Sequence, residues 1–283
     1  MEAFNIRVIE AMEIPEQHEA DFLRDIADKL GLQFPHDSIF TERLAKDNLD
    51  FDWLGIAKSL NPNVTEEEER LKLAENTRKT WSKEICNTLK QWGFSYKKGD
   101  KKLWLSARQW LAQTQYGSWL WEQLSQQSQR TQQMGFIEAP ETLAVANLGA
   151  RREPSKDYKD QVGLNSEVIL EINLTAAAHL TLLEREPNGT VVCLCPSEYA
   201  PNTLLSRNIE KIPQESAPYP TFAATELGQE QWIALLTPQS PPFQWLKQSR
   251  WEAMELQLLH LQEVFEYVKT NQARLLYTEY EVV

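Results

Sequence analysis

An α+β architecture is predicted by a change of hydrophobic period along the 283-residue sequence. Through the first 135 residues apolar side chains recur at steps of three and four, as on an amphipathic helix. Beyond Gly163 they alternate, as on a half-buried strand. Between these regimes lies an aperiodic, polar stretch. The expected organisation is a mainly helical module over 1–135 carrying a winged-helix-like β-hairpin at 94–105, a polar linker over 136–162, and a small β-sandwich over 163–283 packed with a long helix over 249–271.

The first helix is expected from Pro15 to Leu30. Ala20, Leu23, Ile26, Ala27 and Leu30 form its stripe, Pro15 and Glu16 suit its start, and Gly31 suits its stop. A shorter helix over 52–60 ends at Asn61-Pro62. Thr65 then caps a long helix whose first turn holds Glu66 to Glu69, placing negative charge at the positive end of the dipole. Its stripe is Leu71, Ala74, Trp81, Ile85, Leu89 and Trp92, with Gly93 as terminator, and Lys72, Lys79, Lys83 and Lys90 lie opposite. Two short apolar runs around Gly99-Asp100, Phe94 to Tyr96 and Leu103 to Leu105, read as a hairpin with Lys97, Lys98, Lys101 and Lys102 at its tip. The tryptophans from Trp81 to Trp121 stand at helical spacing beside leucines and are expected in the core. A further helix over 109–134 fades into a Gln- and Ser-rich end, and Arg151 to Asp157 belong to the linker.

Charge is distributed unevenly within the net −12. Met1 to Thr77 carries −10, Arg78 to Arg108 carries +7, and Gln109 to Val283 carries −9. An acidic total argues against a protein that coats nucleic acid or anionic membrane over its whole surface, while the basic island keeps a local contact open. Composition excludes collagen, a disulfide scaffold and wholesale disorder. Three scattered cysteines suit a reducing compartment. The N-terminal acidic residues do not suit a signal peptide, and no run reaches the length of a membrane span, so a cytoplasmic protein is expected.

In the second region Val168, Leu170, Ile172 and Leu174 alternate along one strand. Ala177 to Arg185 and Thr190 to Cys195 flank Asn188-Gly189 as a hairpin, with Cys193 and Cys195 on one side, buried and apolar. Gln231 to Thr237 is another strand. Trp251, Met254, Leu258, Leu261, Phe265 and Val268 form the stripe of the closing helix, covered by its own protein or, alternatively, by a second copy through 249–271. Leu275 to Val283 reads as a strand-like tail.

From Val162 to about Thr237 the sequence resembles the bacterial domain-of-unknown-function family 4384. The resemblance is carried by Leu180-Thr181-Leu182-Leu183-Glu184, the Asn188-Gly189 turn and Val191 to Tyr199. It continues through Asn202, Ile212-Pro213, Phe222 and Gly228-Gln229-Glu230 before Trp232 to Leu235. Cys195 and Ser197 replace an aromatic residue usual in the family before its Tyr-containing loop. Members look like β-rich accessory domains attached to caspase-like proteases, protein kinases and repeat proteins in bacteria, without an assigned activity. The resemblance therefore implies a regulatory or recognition role and supplies no catalytic residue.

Chemical motifs are missing. No two glycines stand closer than six positions, which removes Walker and Rossmann loops, and His18, His36, His179 and His260 are dispersed. No catalytic residue, metal ligand or cofactor is expected. The leading reading is a non-enzymatic adaptor or regulator that binds another protein through its sandwich, in a caspase-like protease or kinase system. The alternative is a nucleic-acid-binding regulator that uses segment 78–108 through Lys79, Lys83, Lys90, Lys97, Lys98, Lys101 and Lys102, where lysines meet phosphates without reading sequence.

Overall fold

Pro15, at φ −58°, opens α1 (Glu16–Lys29), and Phe22, Leu23, Ile26 and Ala27 bury its inner face. Gly31 turns the chain away at φ +67°, a conformation that a side chain would resist. The computed structural model describes residues 13–97, 99–139, 158–206, 208–247 and 252–283. They form an α+β protein in two compact units, residues 1–119 and 120–283.

In the first unit α2 (His36–Leu44) follows α1 and α3 (Trp53–Leu60) follows α2. The Asp52 carboxylate caps α3 by accepting from Gly55 N–H at 2.7 Å. The expected long helix is present as α4 (Glu67–Thr80), a π-helical segment (Trp81–Ile85) and α5 (Cys86–Gln91), ended by Gly93. Its N-cap is Glu66, one residue after Thr65, with no side-chain bond. Four-residue steps explain the π segment. Thr77, Trp81, Ile85 and Leu89 are all buried, and on 3.6 residues per turn each step of four drifts by about 40°. Widening one turn, seen as the Cys86 N–H donating to Trp81 C=O, keeps the four on one face.

The expected hairpin at 94–105 is absent, and with it the wing of a winged helix. No strand occurs among the described residues of this stretch, and α6 (Leu103–Thr114) begins inside it. Asp100 folds back on Lys97, its carboxylate accepting from Lys97 N–H at 2.8 Å, and Lys102 adopts a left-handed φ of 55° before the helix. The Gly-Asp signal therefore marks a turn into a helix. Leu103, Trp104 and Leu105 form its first turn.

A buried cation organises this unit. Arg43 is fully buried with its guanidinium 4.0 Å from the centre of the Trp104 ring and 5.4 Å from that of Trp53. It donates to Phe51 C=O at 2.9 Å and Leu49 C=O at 2.7 Å, and Trp104 Nε1 also donates to Leu49 C=O. Elsewhere Phe22, Tyr116 and Trp119 interlock edge to face, and Trp119 Nε1 donates to Asp25 at 2.8 Å. Trp81, Trp119 and Trp121 are core residues, as their spacing predicts, while Trp92, Trp104 and Trp110 are only half-buried. The next helix, α7 (Tyr116–Gln127), contains the division between the units.

The second unit holds two sheets. The first orders β1 (Gln129–Arg130), β12 (Arg274–Val282), β10 (Gly228–Thr237), β5 (Ala178–Arg185), β6 (Val191–Cys195) and β11 (Met254–Glu255), with β3 (Gln161–Val162) beside β12 and β7 (Leu204–Leu205) beside β5. The second orders β2 (Met134–Glu138), β4 (Glu167–Leu174) and β8 (Asn208–Ile212), with β9 (Phe222–Ala223) beside β4. One hydrophobic cluster takes residues from both: Phe136, Leu170, Ile172 and Ile212 from the second sheet, Leu182, Trp232, Ala234 and Leu276 from the first. The Trp232 ring meets Phe136 at 5.0 Å and Phe222 at 5.1 Å.

Three expectations need correction. The linker expected over 136–162 starts inside β2, which pairs antiparallel with β4 from Met134↔Ile172 to Glu138↔Val168; five residues are too few to show a period. Arg151 to Asp157 lie outside the described residues. The closing helix, expected over 249–271, is α8 (Leu258–Thr270). A reciprocal cap between Gln257 and His260 starts it, while Met254 pairs with Cys193 in β11 and Trp251 lies outside the described residues. Its stripe residues Leu261 and Phe265 are buried in the single chain, while the Phe243 and Trp245 rings meet Tyr267 and His260. Cys193 and Cys195 do not share a face. The β5–β6 register shifts between Leu182 and Leu183, and the bulge turns Leu194 and Cys195 together into the inter-sheet core without Cys193. Burial pushes the Cys193 thiol up to about 12 and Cys195 higher still, which suits inert thiols.

Candidate functional site

The predicted lysines among the described residues lie exposed on several elements of the first unit. Lys79 ends α4 and pairs with Glu75 at 3.4 Å, Lys83 stands exposed on the π segment, and Lys90 lies on α5 with its ammonium 4.2 Å from the centre of the Tyr96 ring. Lys97, Lys101 and Lys102 are exposed in the loop before α6, and Lys98 lies outside the described residues. Acidic side chains interrupt the strip: Glu75 also binds Arg78, and Glu84 pairs with His36 at 2.8 Å.

A groove in the second unit has features of a binding site. Its volume is about 740 Å³, and its walls are residues 201–206, through β7, and residues 209–211 and 214–216, through β8 and the turn after it. β8 is the last strand of its sheet, so one side of its backbone has no strand partner among the described residues. Leu204, 61% exposed, projects an apolar side chain at the groove. At one end the Gln214 side chain bonds the backbone of Asn202 twice, its Nε2 donating to the carbonyl at 2.8 Å and its Oε1 accepting from the N–H at 3.0 Å. A single side-chain amide thus meets donor and acceptor of one residue as a neighbouring strand's peptide would. At the other end Glu210 accepts from Ser206 N–H and Oγ.

The second unusual feature is a carboxyl pair on the inward side of the first sheet. Glu184 lies opposite Trp232 in the β5–β10 register, beside Glu230, which is 6% exposed and accepts a short hydrogen bond from the Tyr280 hydroxyl. Burial pushes Glu184 well above the usual carboxylate range. The Glu230 charge, the hydrogen bond shared with it, and Glu186 push the same way. Glu230 is raised less, because its burial is opposed by the hydrogen bonds from Tyr280 and Glu184. The pair therefore keeps a proton, held mainly on Glu184, and acts as one titrating unit.

The sign of the pH effect follows from linkage. Above the unfolded value near 4.5, the unfolded chain has lost the Glu184 proton that the folded chain retains. The slope of stability against pH is then negative until the folded pair ionises. Glu184→Gln is expected to flatten this decline and to raise the stability of the second unit at neutral pH by about 1–2 kcal/mol. Urea denaturation of both proteins from pH 4 to 8 checks it; parallel stability curves reject the shared proton.

These groups were legible only in part. Strand alternation puts Glu184 on the side of Leu180 and Leu182, and Glu230 on the side of Trp232, an inward charge that could have marked the pair. Gln214 and the groove depend on strand order and had no local signal.

The comparisons fit the second unit. Residues 161–240 match the family described as domain of unknown function DUF4384. The match spans β3 to β10 and includes Glu184, Glu230 and both groove walls, while β2 and β12 lie outside it. Ser197, in the loop after β6, donates to Leu194 C=O at 2.7 Å and accepts from Tyr199 N–H at 3.1 Å. The Tyr199 ring packs on Phe222 at 4.9 Å. No curated protein and no solved structure matches the chain. No helix among the described residues is long and apolar enough to cross a membrane.

Proposed function

We propose that the chain is a non-enzymatic adaptor or regulator, working in the cytoplasm, whose second unit binds an extended segment of another protein in the groove between β7 and β8. The two sheets act as the layers of a small sandwich, and the groove runs along the edge where β8 ends one layer. The edge of β8 carries the reading, because one side of its backbone has no strand partner among the described residues and β-strand addition needs such an edge. Leu204 supplies an apolar anchor beside it. The partner class follows from the family resemblance, a caspase-like protease or a kinase regulated in trans.

Selection of random displayed peptides against the full chain tests the site. Enriched peptides should share an extended apolar motif and perturb the amide signals of residues 201–216. Leu204→Lys, at an exposed position, should weaken their binding by about tenfold or more without changing the melting temperature. Peptides that bind Leu204→Lys as well as the parent, or no enrichment at all, would overturn the reading.

A further inference from the structure

We propose that, given the groove binding described above, the bound segment enters as a strand bridging the two sheets and displaces the Gln214 side chain, which plugs the groove at Asn202. The register fixes which backbone groups face the groove. Asn173 N–H donates to Gln133 C=O and Ala139 N–H to Glu167 C=O, so the odd-numbered residues of β4 bond β2 and its even-numbered residues bond β8. The β8 residues opposite these, Asn208, Glu210 and Ile212, therefore face β4, and Ile209 and Lys211 turn N–H and C=O outward. On the other wall Leu180 N–H donates to Thr203 C=O. That bond puts Thr203 and Leu205 toward β5 and leaves Asn202 and Leu204 facing out.

Edges of both sheets thus face one groove. Stacked sheets lie about 10 Å apart, which is two strand spacings of about 4.8 Å. Successive peptide groups of a strand point to opposite sides, so one extended segment can bond Ile209 and Lys211 along one side and Asn202 and Leu204 along the other. A second copy of β8 is a poor occupant. The antiparallel register that uses both Ile209 and Lys211 sets Glu210 of one copy directly against Glu210 of the other, and like charges so placed destabilise a pair. A partner of different sequence, with a polar or basic residue at that position, avoids the repulsion.

In the free chain Gln214 holds the place of one such peptide group. Its Oε1 accepts from Asn202 N–H and its Nε2 donates to Asn202 C=O, so an outward residue of that wall is already occupied. The Gln214 backbone is held separately: its N–H donates to Tyr199 C=O at 2.8 Å, and its C=O accepts from Ala217 N–H at 2.8 Å. The amide can therefore swing out by side-chain rotation alone, with the turn after β8 left in place. Both plug bonds are exposed to water, which competes for the same groups and makes the plug displaceable. Its closed fraction lowers the apparent affinity of any segment that needs Asn202.

Peptides selected by display on the full chain are the probe, titrated into the parent and into Gln214→Ala. The variant should bind them about three- to tenfold more tightly, because no plug has to open, and should keep the parental melting temperature. Amide hydrogen exchange is the second measurement. Asn202 N–H should exchange more slowly in the free parent than in free Gln214→Ala, and saturating peptide should protect Asn202, Leu204, Ile209 and Lys211 together in both proteins. Equal exchange at Asn202 in the two free proteins, or equal or weaker binding by Gln214→Ala, overturns the plug; if Leu204→Lys still abolishes that binding, the groove itself stands. Protection of Ile209 and Lys211 without Asn202 overturns the bridging strand. Failure of every peptide to bind either protein, or binding that protects none of these amides, overturns groove and plug together.

Discussion

Arg43→Ala is expected to remove about 3–5 kcal/mol from the first unit, a large part of the stability of an ordinary domain. The guanidinium is sealed from water between the Trp104 and Trp53 rings and bonds two backbone carbonyls. Truncation leaves a cavity between the rings, takes the donor from Phe51 C=O and removes one of the two donors to Leu49 C=O, and an unsatisfied buried group costs about 1–3 kcal/mol. The desolvated cation–π contact adds about 2 kcal/mol. Burial holds Arg43 below its usual range at about 10, against an opposing pull from Asp50, so the group is still charged at neutral pH. Two companions separate the contributions. Arg43→Met restores bulk without donors, and Arg43→Lys restores charge without the planar fork, so both should fall between alanine and the parent. Denaturation followed by tryptophan fluorescence measures the series; an alanine variant within about 1 kcal/mol of the parent would show that the cation is dispensable.

The family-matched segment, 161–240, is expected not to fold alone, while residues 120–283 should melt cooperatively. Cutting at 240 deletes β12, which pairs with β10 from Gly228↔Val282 to Leu236↔Arg274, and bares a long interior strand. It also takes Leu276, Tyr280 and Val282 from the shared core. Starting at 161 deletes β2, with Met134 and with Phe136, whose ring lies 5.0 Å from Trp232 and 4.5 Å from Tyr280. Losses of about 2–5 kcal/mol for each large core side chain exceed the roughly 5–15 kcal/mol that a domain has in hand. Circular dichroism melts of the two fragments decide it. A sigmoidal transition in 161–240 would mean that β2 and β12 are ornaments on an autonomous domain.

Local pattern announced the elements whose neighbours lie close in sequence. The stripe of α1, the helix through Trp81 and the turn at Asn188-Gly189 are all present, because each depends on contacts within a few residues. The hairpin at 94–105 failed where three residues, Leu103 to Leu105, were too few to separate a strand from a first helical turn. Met254 failed differently. Its heptad spacing to Leu261 is real, yet the chain enters α8 only after Gln257, and Met254 is paired with Cys193. Strand order was the larger omission. That Leu275 to Val282 lies beside β10 and between it and β1 follows from long-range packing, and no local period encodes it. The groove and the carboxyl pair inherit that difficulty, since Tyr280 reaches Glu230 only through that insertion.

The π segment makes the helix from Glu67 to Gln91 count in residues as well as turns. Its extra residue is a phase setting: a regular helix with one position removed between Trp81 and Ile85 would hold everything beyond it in its present phase, whereas straightening the helix at its present length would rotate everything beyond by about 100°. Straightened at full length, it would turn Leu89 off the buried face that Thr77 and Trp81 share. Length variation among descendants of this sequence should therefore be tolerated before α4, after Gly93 and as a single deletion within those five residues, and purged elsewhere in the helix, where a lost codon would turn the whole surface beyond it.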